Sequence, residues 1–271
     1  MKNNDSLDTL CAALAYALGI EAPKYAAPAN KTLCGYIDEV FGGEKADRLF
    51  MYNPDVVAEW LYEKYPELFS AAKSRIDLEL PLATVMPSVT PVCFATMYTG
   101  AQPEVHGICK YEKPVLKTDT LFDALVRAGK RVALISTYTV CSVSKIFLER
   151  EIDYFFFDDS YLEGANAKAA ELIMSDEYDV IVLYNGNYDD VMHKNGPESA
   201  RSLSELRLNA HAFGTICEMI KTHWKSHNTL VGFAMDHGCH EIDGNSGSHG
   251  LDMDEDINIV HLYKGYKRVE K

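Results

Sequence analysis

Short apolar runs alternate along this chain with segments whose apolar residues recur at helical spacing. Arg48 to Tyr52 (RLFMY), Arg131 to Ser136 (RVALIS), Tyr154 to Phe157, Tyr178 to Tyr184 (YDVIVLY), Leu230 to Met235 and Ile257 to Tyr263 (INIVHLY) have the length and composition of buried strands. Between them the pattern predicts helices. One runs from Asp5 to Leu18, capped by Asp5 or Ser6 and stopped by Gly19, and a second starts at Asn30 and ends near Gly42. Asn53-Pro54 opens a helix that continues through Glu59-Trp60-Leu61, and Thr90-Pro91 opens one through Phe94 and Met97 that stops at Gly100. Thr118-Asp119-Thr120 opens a helix closed at Gly129; others cover Val143 to Glu149, Ala165 to Met174 and Ser202 to Lys221. Strand and helix in alternation call for an α/β sandwich with a largely parallel sheet. We expect a single domain over residues 1–271, with 1–45 as a helical packing segment.

Polar residues gather where the apolar runs stop. The run Leu230 to Met235 ends at Asp236-His237-Gly238, and His249 follows twelve residues after His237 in a glycine- and serine-rich loop. Carboxylate oxygen and imidazole nitrogen together suit zinc or another first-row divalent ion, although Asp-His-Gly is also what a plain turn after a strand looks like. The run ending at Tyr184 leads to Asp189 and His193, four residues apart: on one face if the segment is helical, free to chelate if it is a loop. Asp190 competes with Asp189 for that role. Asp55 falls at a strand's carboxyl end, where open α/β sheets hold their ligands, and equally in a helix's first turn, where an acid simply favours the dipole. Thr90 places a hydroxyl at a helix N-terminus. Such an end presents backbone N–H groups to an anion, and a capping threonine is the ordinary alternative to a nucleophile. His211, His223, His227 and His261 read as surface or core residues, and His240, Glu241 and Asp243 as a further ion site or a solvated loop.

Composition narrows the setting. With 47% hydrophobic and 24% charged residues, and no apolar run long enough for a bilayer, nothing points to a membrane. Cys11 to Ile20 is apolar but follows Asp5 and Asp8 beside a single Lys2, unlike a secretory signal, so a cytoplasmic location is expected. Seven cysteines without paired spacing read as reduced thiols, and Cys93 and Cys239, beside candidate site residues, are candidates for reactivity. A net charge of −14 without basic clusters argues against broad nucleic-acid binding.

Taken in order, Thr90-Pro91, Thr99-Gly100, Pro103, His106-Gly107-Ile108, Asp189-x-x-x-His193 before Gly196-Pro197, Asp236-His237-Gly238 and the late His249 resemble the alkaline phosphatase superfamily. The nearest likeness is to its nucleotide pyrophosphatase/phosphodiesterase and phosphonoacetate hydrolase branch, from about Arg48 to His249. The resemblance implies a three-layer α/β/α sandwich of alkaline phosphatase type with two zinc ions at the carboxyl edge of the sheet. It implies Asp189, His193 and His249 on one ion, and Asp236, His237, the Thr90 oxygen and an acid after the first strand on the other. That acid is Asp55, since Asn53 is a poor anionic ligand. Thr90 would be the nucleophile of a phosphate ester hydrolase, of phosphodiesterase or pyrophosphatase type, acting through a phospho-threonine intermediate. Cys93 stands where the resemblance implies a phosphate-binding Asn. The substrate would be a small phosphate or phosphonate ester. The same residues also serve a phosphonate or sulfate-ester hydrolase, and a degenerate metal-binding protein would keep the ligands without the turnover.

Overall fold

The computed structural model describes residues 2–158 and 163–269. Among them are nine strands: β1 (Arg48–Pro54), β2 (Leu78–Ala83), β3 (Val132–Ser136), β4 (Asp153–Phe156), β5 (Val180–Asn185), β6 (Thr229–Phe233), β7 (His240–Ile242), β8 (Ser246–Ser248) and β9 (Asn258–Tyr266). Seven form one sheet in the order β2-β9-β6-β1-β5-β3-β4, and β7 and β8 pair as a separate hairpin. The run β6-β1-β5-β3-β4 is parallel throughout, while β9 lies antiparallel between β6 and β2. Helices flank this mostly parallel sheet, so the predicted fold class holds.

The central strands β6, β1 and β5 are buried at every position, as expected of apolar runs covered on both faces. Their order places the residues that follow each one at a single edge. Tyr52 pairs with Leu183 on one side and Phe233 on the other, so Asp55, the segment after Asn185 and Asp236 leave neighbouring strand tips in the same direction.

Several local expectations shift. The first helix is Thr9–Leu18 because residues 5–7 extend the sheet instead: Ser6 bridges to Ala83, and Leu7 N donates to Ala83 O at 2.9 Å. The second helix, Lys31–Phe41, starts as expected, with the Asn30 side chain accepting from Leu33 N at 3.0 Å. Pro54 ends β1 and does not begin a helix; the next helix is Glu59–Lys64. The alternating LELPLA segment that forms β2 escaped the apolar-run pattern, and its Pro81 is tolerated because β2 is the sheet's edge strand. Gly100 fits the prediction for a physical reason: it closes the helix Thr90–Thr99 at φ 69°, and a Cβ there would sit 2.7 Å from that of Ala26.

Candidate metal centre

Beyond Pro54 the chain turns sharply, with Val56 at a φ of 65°, and the Asp55 amide donates to Asn185 O at 2.9 Å. Asp55 is therefore fixed on the tips of β1 and β5 and lies outside any helix. Asn53 is used elsewhere. Its Nδ2 donates to Ala234 O at 2.8 Å and its Oδ1 accepts from Tyr98 at 2.6 Å, tying β1 to β6 and to the helix Thr90–Thr99. The tip of β6 is held just as firmly: Met235 O accepts from His261 Nε2 at 2.6 Å, and Asp236 O from the Thr84 hydroxyl at 2.6 Å. His261 is thus a packed residue, as expected. Asp236 Oδ1 accepts from Val56 N at 3.1 Å, and His237 Nδ1 donates to Gly238 O at 3.0 Å. That bond leaves His237 Nε2 as a lone pair, 3.2 Å from Asp236 Oδ2 and 3.8 Å from Asp55 Oδ1. The three side chains are buried.

The second group comes from the helix Asn187–Asn195 and the loop after β8. Helical spacing puts Asp189 and His193 on one face, and His193 Nε2 lies 3.0 Å from Asp189 Oδ1. His249 Nε2 completes the cluster at 3.5 Å from the same oxygen and 3.2 Å from His193 Nε2. Each ring is oriented from behind: His193 Nδ1 donates to Gly247 O at 2.9 Å and His249 Nδ1 to Ser88 O at 3.1 Å. Asp190 does not compete, since its carboxylate accepts from the Tyr138 hydroxyl at 2.8 Å. The rings of His237 and His249, one from each group, stand 4.3 Å apart, so the two clusters adjoin.

A cation fits these donors, and the reason lies in what they lack. Carbonyl oxygens can only accept, so Nδ1 of all three histidines carries the proton and the Nε2 lone pairs face the carboxylates and each other. While the imidazoles are neutral, Asp189 Oδ1 and Asp236 Oδ2 are buried and accept no hydrogen bond. Buried orphan acceptors converging on lone pairs are unfavourable until a positive ion lies among them. Asp55, Asp236 and His237 form one group that could hold a metal ion, and Asp189, His193 and His249 another. The charge states agree. Burial, with the charges of Asp236 and Asp189, pushes Asp55 well above the usual carboxylate range, and burial lifts Asp236 to about 7. Burial also holds His237 well below an ordinary imidazole. Asp189 differs: burial would raise it, yet in the absence of a cation a proton taken up at Nε2 pairs the imidazoles of His193 and His249 with it and draws it below the usual range.

Thr90 stands between the groups. It is the first residue of its helix, and its hydroxyl caps nothing, lying 3.4 Å from Asp55 Oδ1 and 3.5 Å from His237 Nε2. The amide supply expected at that helix end is smaller than the sequence promised. Pro91 has no N–H, and the amides of Val92 and Cys93 both bond to Val89 O at 3.0 Å. Cys93 does not reach toward a substrate either; its thiol is fully buried, 3.9 Å from Val85 O, and burial pushes its pKa well up. Cys239 is likewise buried and raised, so neither thiol is reactive, and all seven cysteines are free. His106 is a strut: its ring bonds Thr96 Oγ1 at 3.0 Å and accepts from Ile108 N at 3.2 Å.

Sequence reasoning missed Tyr184, whose hydroxyl donates to Asp55 Oδ2 from the tip of β5. It sits at an apolar strand's end, where nothing distinguishes it from a core tyrosine. Also missed was the cleft of about 150 Å³ that Thr90, Asp55 and Asp189 share with Tyr138, Tyr184 and Gly186. Gly186 is needed there, since a Cβ would meet the Tyr138 ring and the Tyr184 oxygen at 2.9 Å.

Comparison with known proteins places this arrangement. Residues 52–269 match the family model of type I phosphodiesterase / nucleotide pyrophosphatase, and the chain belongs to that family within the alkaline phosphatase superfamily. No curated protein matches the chain significantly. Among solved structures it is similar to murine ectonucleotide pyrophosphatase/phosphodiesterase 5 (17% identity, 73% of this chain and 58% of that one, TM-score 0.58). It is also similar to phosphonoacetate hydrolase from Sinorhizobium meliloti, solved with phosphonoformate (19% identity, 74% and 59%, TM-score 0.53). The periplasmic domain of phosphoethanolamine transferase EptC from Campylobacter jejuni shares the fold at 13% identity over 81% of this chain and 80% of that domain, TM-score 0.61. The chain thus spans less than two thirds of the first two proteins. No helix among the described residues is long and apolar enough to cross a membrane.

Proposed function

We propose that this protein is a two-metal hydrolase of small phosphate esters, of phosphodiesterase or pyrophosphatase type, with Thr90 as nucleophile. One observation carries the reading: two Asp/His groups with orphan acceptors adjoin, and between them lies a threonine hydroxyl whose side-chain partners are Asp55 and His237 of the buried group. Asp189, His193 and His249 are the ligands of one ion; Asp55, Asp236, His237 and the Thr90 oxygen are those of the other, and zinc suits this oxygen and nitrogen set. Bound there, such ions supply Lewis acidity, lowering the pKa of a hydroxyl or water and neutralising charge on the transferring group.

The chain's own part is positional. Thr90 Oγ1 bonds to phosphorus as the bond to the leaving oxygen breaks; its proton passes to solvent in the cleft, and the leaving oxygen takes one up. Water then attacks the phospho-threonine, restoring the hydroxyl and releasing the phosphate. Tyr184, which burial and Asp55 keep protonated, holds Asp55 by a hydrogen bond throughout. In the murine relative a threonine-to-alanine substitution gives an inactive protein that holds AMP, which supports a threonine in this role. Free thiols favour a cytoplasmic setting, and a net charge of −14 disfavours a nucleic-acid partner.

The test is turnover of p-nitrophenyl phosphate, bis(p-nitrophenyl) phosphate and a p-nitrophenyl phosphonate ester by zinc-loaded protein against a chelated control. Chelator-sensitive hydrolysis is expected, with Thr90→Ala slower by about 10³-fold or more. Unchanged turnover in Thr90→Ala would sink the covalent route.

A further inference from the structure

Among the described residues, one cationic side chain lines the cleft beside Thr90. Lys113 lines it together with Thr90, Asp55 and Asp189, in a chain with 26 Lys and Arg against 40 Asp and Glu. Most basic side chains here find a carboxylate, but Lys113 forms no ion pair among the described residues; its ammonium stands 5.3 Å from the centre of the Tyr111 ring. The acids of the cleft are already engaged elsewhere. Asp55 accepts from Tyr184, Asp190 accepts from Tyr138, and Asp189 faces two histidines. A lysine that neutralises nothing among the described residues, at the wall of the cleft where the phosphoryl group would lie, is placed for a charge that arrives with the substrate.

Cleft size limits what carries that charge. About 150 Å³ is well below the roughly 300–1,000 Å³ of pockets that enclose drug-sized ligands. A large leaving group would project past Tyr111 and Val140, which are 61% and 69% exposed. Resting on the hydrolase reading for the position of the phosphoryl group, we infer that Lys113 is a specificity residue: it binds a second anionic group, carboxylate or phosphoryl, two or three atoms from the reacting phosphorus of a compact substrate.

The experiment is calorimetric binding of three phosphonates to zinc-loaded protein. Propylphosphonate has an uncharged tail, 3-phosphonopropionate replaces its terminal methyl by a carboxylate, and ethane-1,2-diphosphonate by a second phosphoryl group. At least one charged analogue should bind about tenfold or more tighter than propylphosphonate, the worth of a charge-assisted hydrogen bond. Lys113→Met should bring that ratio near one while leaving propylphosphonate affinity within about twofold, and Lys113→Arg should retain most of it. Whichever charged analogue loses more in Lys113→Met identifies the group. No preference in the wild type, or a preference that survives Lys113→Met because the tail simply chelates metal, overturns the inference. A protein that shows the preference but hydrolyses no ester would refute the hydrolase reading and leave the anion subsite standing; hydrolysis without the preference would do the reverse.

Discussion

Asp55, Asp236 and His237 are rooted on the tips of β1 and β6 and have at most 1% of their surface exposed, whereas Asp189, His193 and His249 sit on a helix and a loop, with His193 open to solvent. The first group is pre-organised by backbone: Val56 N, Thr84 and His261 fix the two tips, and nothing inside neutralises the carboxylates. The second compensates itself, for Asp189 holds its proton weakly while the same carboxylate raises His193. The contrast teaches that equal ligand chemistry can carry opposite stability. In the metal-free protein the buried group is a strained element and the half-exposed group is a stabilising ion pair.

Removing a ligand from either group should give the largest effect. Asp189→Ala and His249→Ala are expected to release one ion per chain and to lower turnover by about 10³-fold or more, the range of losses when catalytic groups that act as a unit are removed. Metal counting on the purified variants checks this. Retention of two ions in either one would refute that ligand set. For the buried group, Asp55→Ala should lose an ion while Asn53→Ala should not, since Asn53 spends both ends of its amide on Ala234 and Tyr98.

Stability should separate the groups by sign. Burial raises Asp236 from an ordinary 3.8 to about 7, so the folded protein keeps a proton that the unfolded chain releases. The stability so contributed is present below about pH 4 and lost as pH rises toward 7. In chelated protein, Asp236→Asn should therefore match the wild type in Tm near pH 4 and exceed it increasingly up to pH 8, by about 2–4 °C for each kcal/mol relieved. The difference between the proteins is the readout, because His106, His237 and His261, all lowered by burial, drive the absolute Tm the other way. Asp189→Asn should lower the Tm of chelated protein at neutral pH, since His193 loses the partner that charges it. A Tm advantage for Asp189→Asn equal to that of Asp236→Asn would erase the distinction.

How far the sequence revealed these groups follows from the same contrast. Asp236-His237 was legible because a polar residue directly after an apolar run is marked by the run itself, whereas Asp55, three residues past its run, was separated from Asn53 only by the resemblance; the parallel order then brings the runs' ends together. Asp189 and His193 were legible through their four-residue spacing. The orienting atoms were not: Ser88 O, Gly247 O and Gly238 O are backbone carbonyls, which no residue type announces. Thr90-Pro91 has the pattern of a cap and first turn, whereas Thr90 lies inside the helix with its hydroxyl turned to Asp55 and His237. The alternating edge strand β2 and the three-residue strands of the β7–β8 hairpin fell below what apolar runs can signal.

The smallest effect sharpens the comparison most, because it acts on one group through the loop that carries it. Asp256 is fully buried, and its Oδ1 faces His240 Nδ1 at 2.7 Å while its Oδ2 accepts from Leu251 N at 2.8 Å, two residues past His249. Its carbonyl accepts from Gly238 N at 2.8 Å, beside His237, and a Cβ on Gly238 would lie 2.0 Å from Glu255 O. The side chain therefore secures the His249 loop, whereas the main chain secures His237. Asp256→Ala removes the former contacts and keeps the latter. It should weaken the ion at Asp189, His193 and His249 by roughly tenfold, the lower end for outer-shell partners of metal ligands, and leave the other ion's affinity within about twofold. Stepwise zinc titration with a competing chelator reads both. Equal weakening of the two ions would mean that Asp256 supports the sheet edge as a whole; weakening of one alone would show that the loop-borne group has a support the strand-borne group does not need.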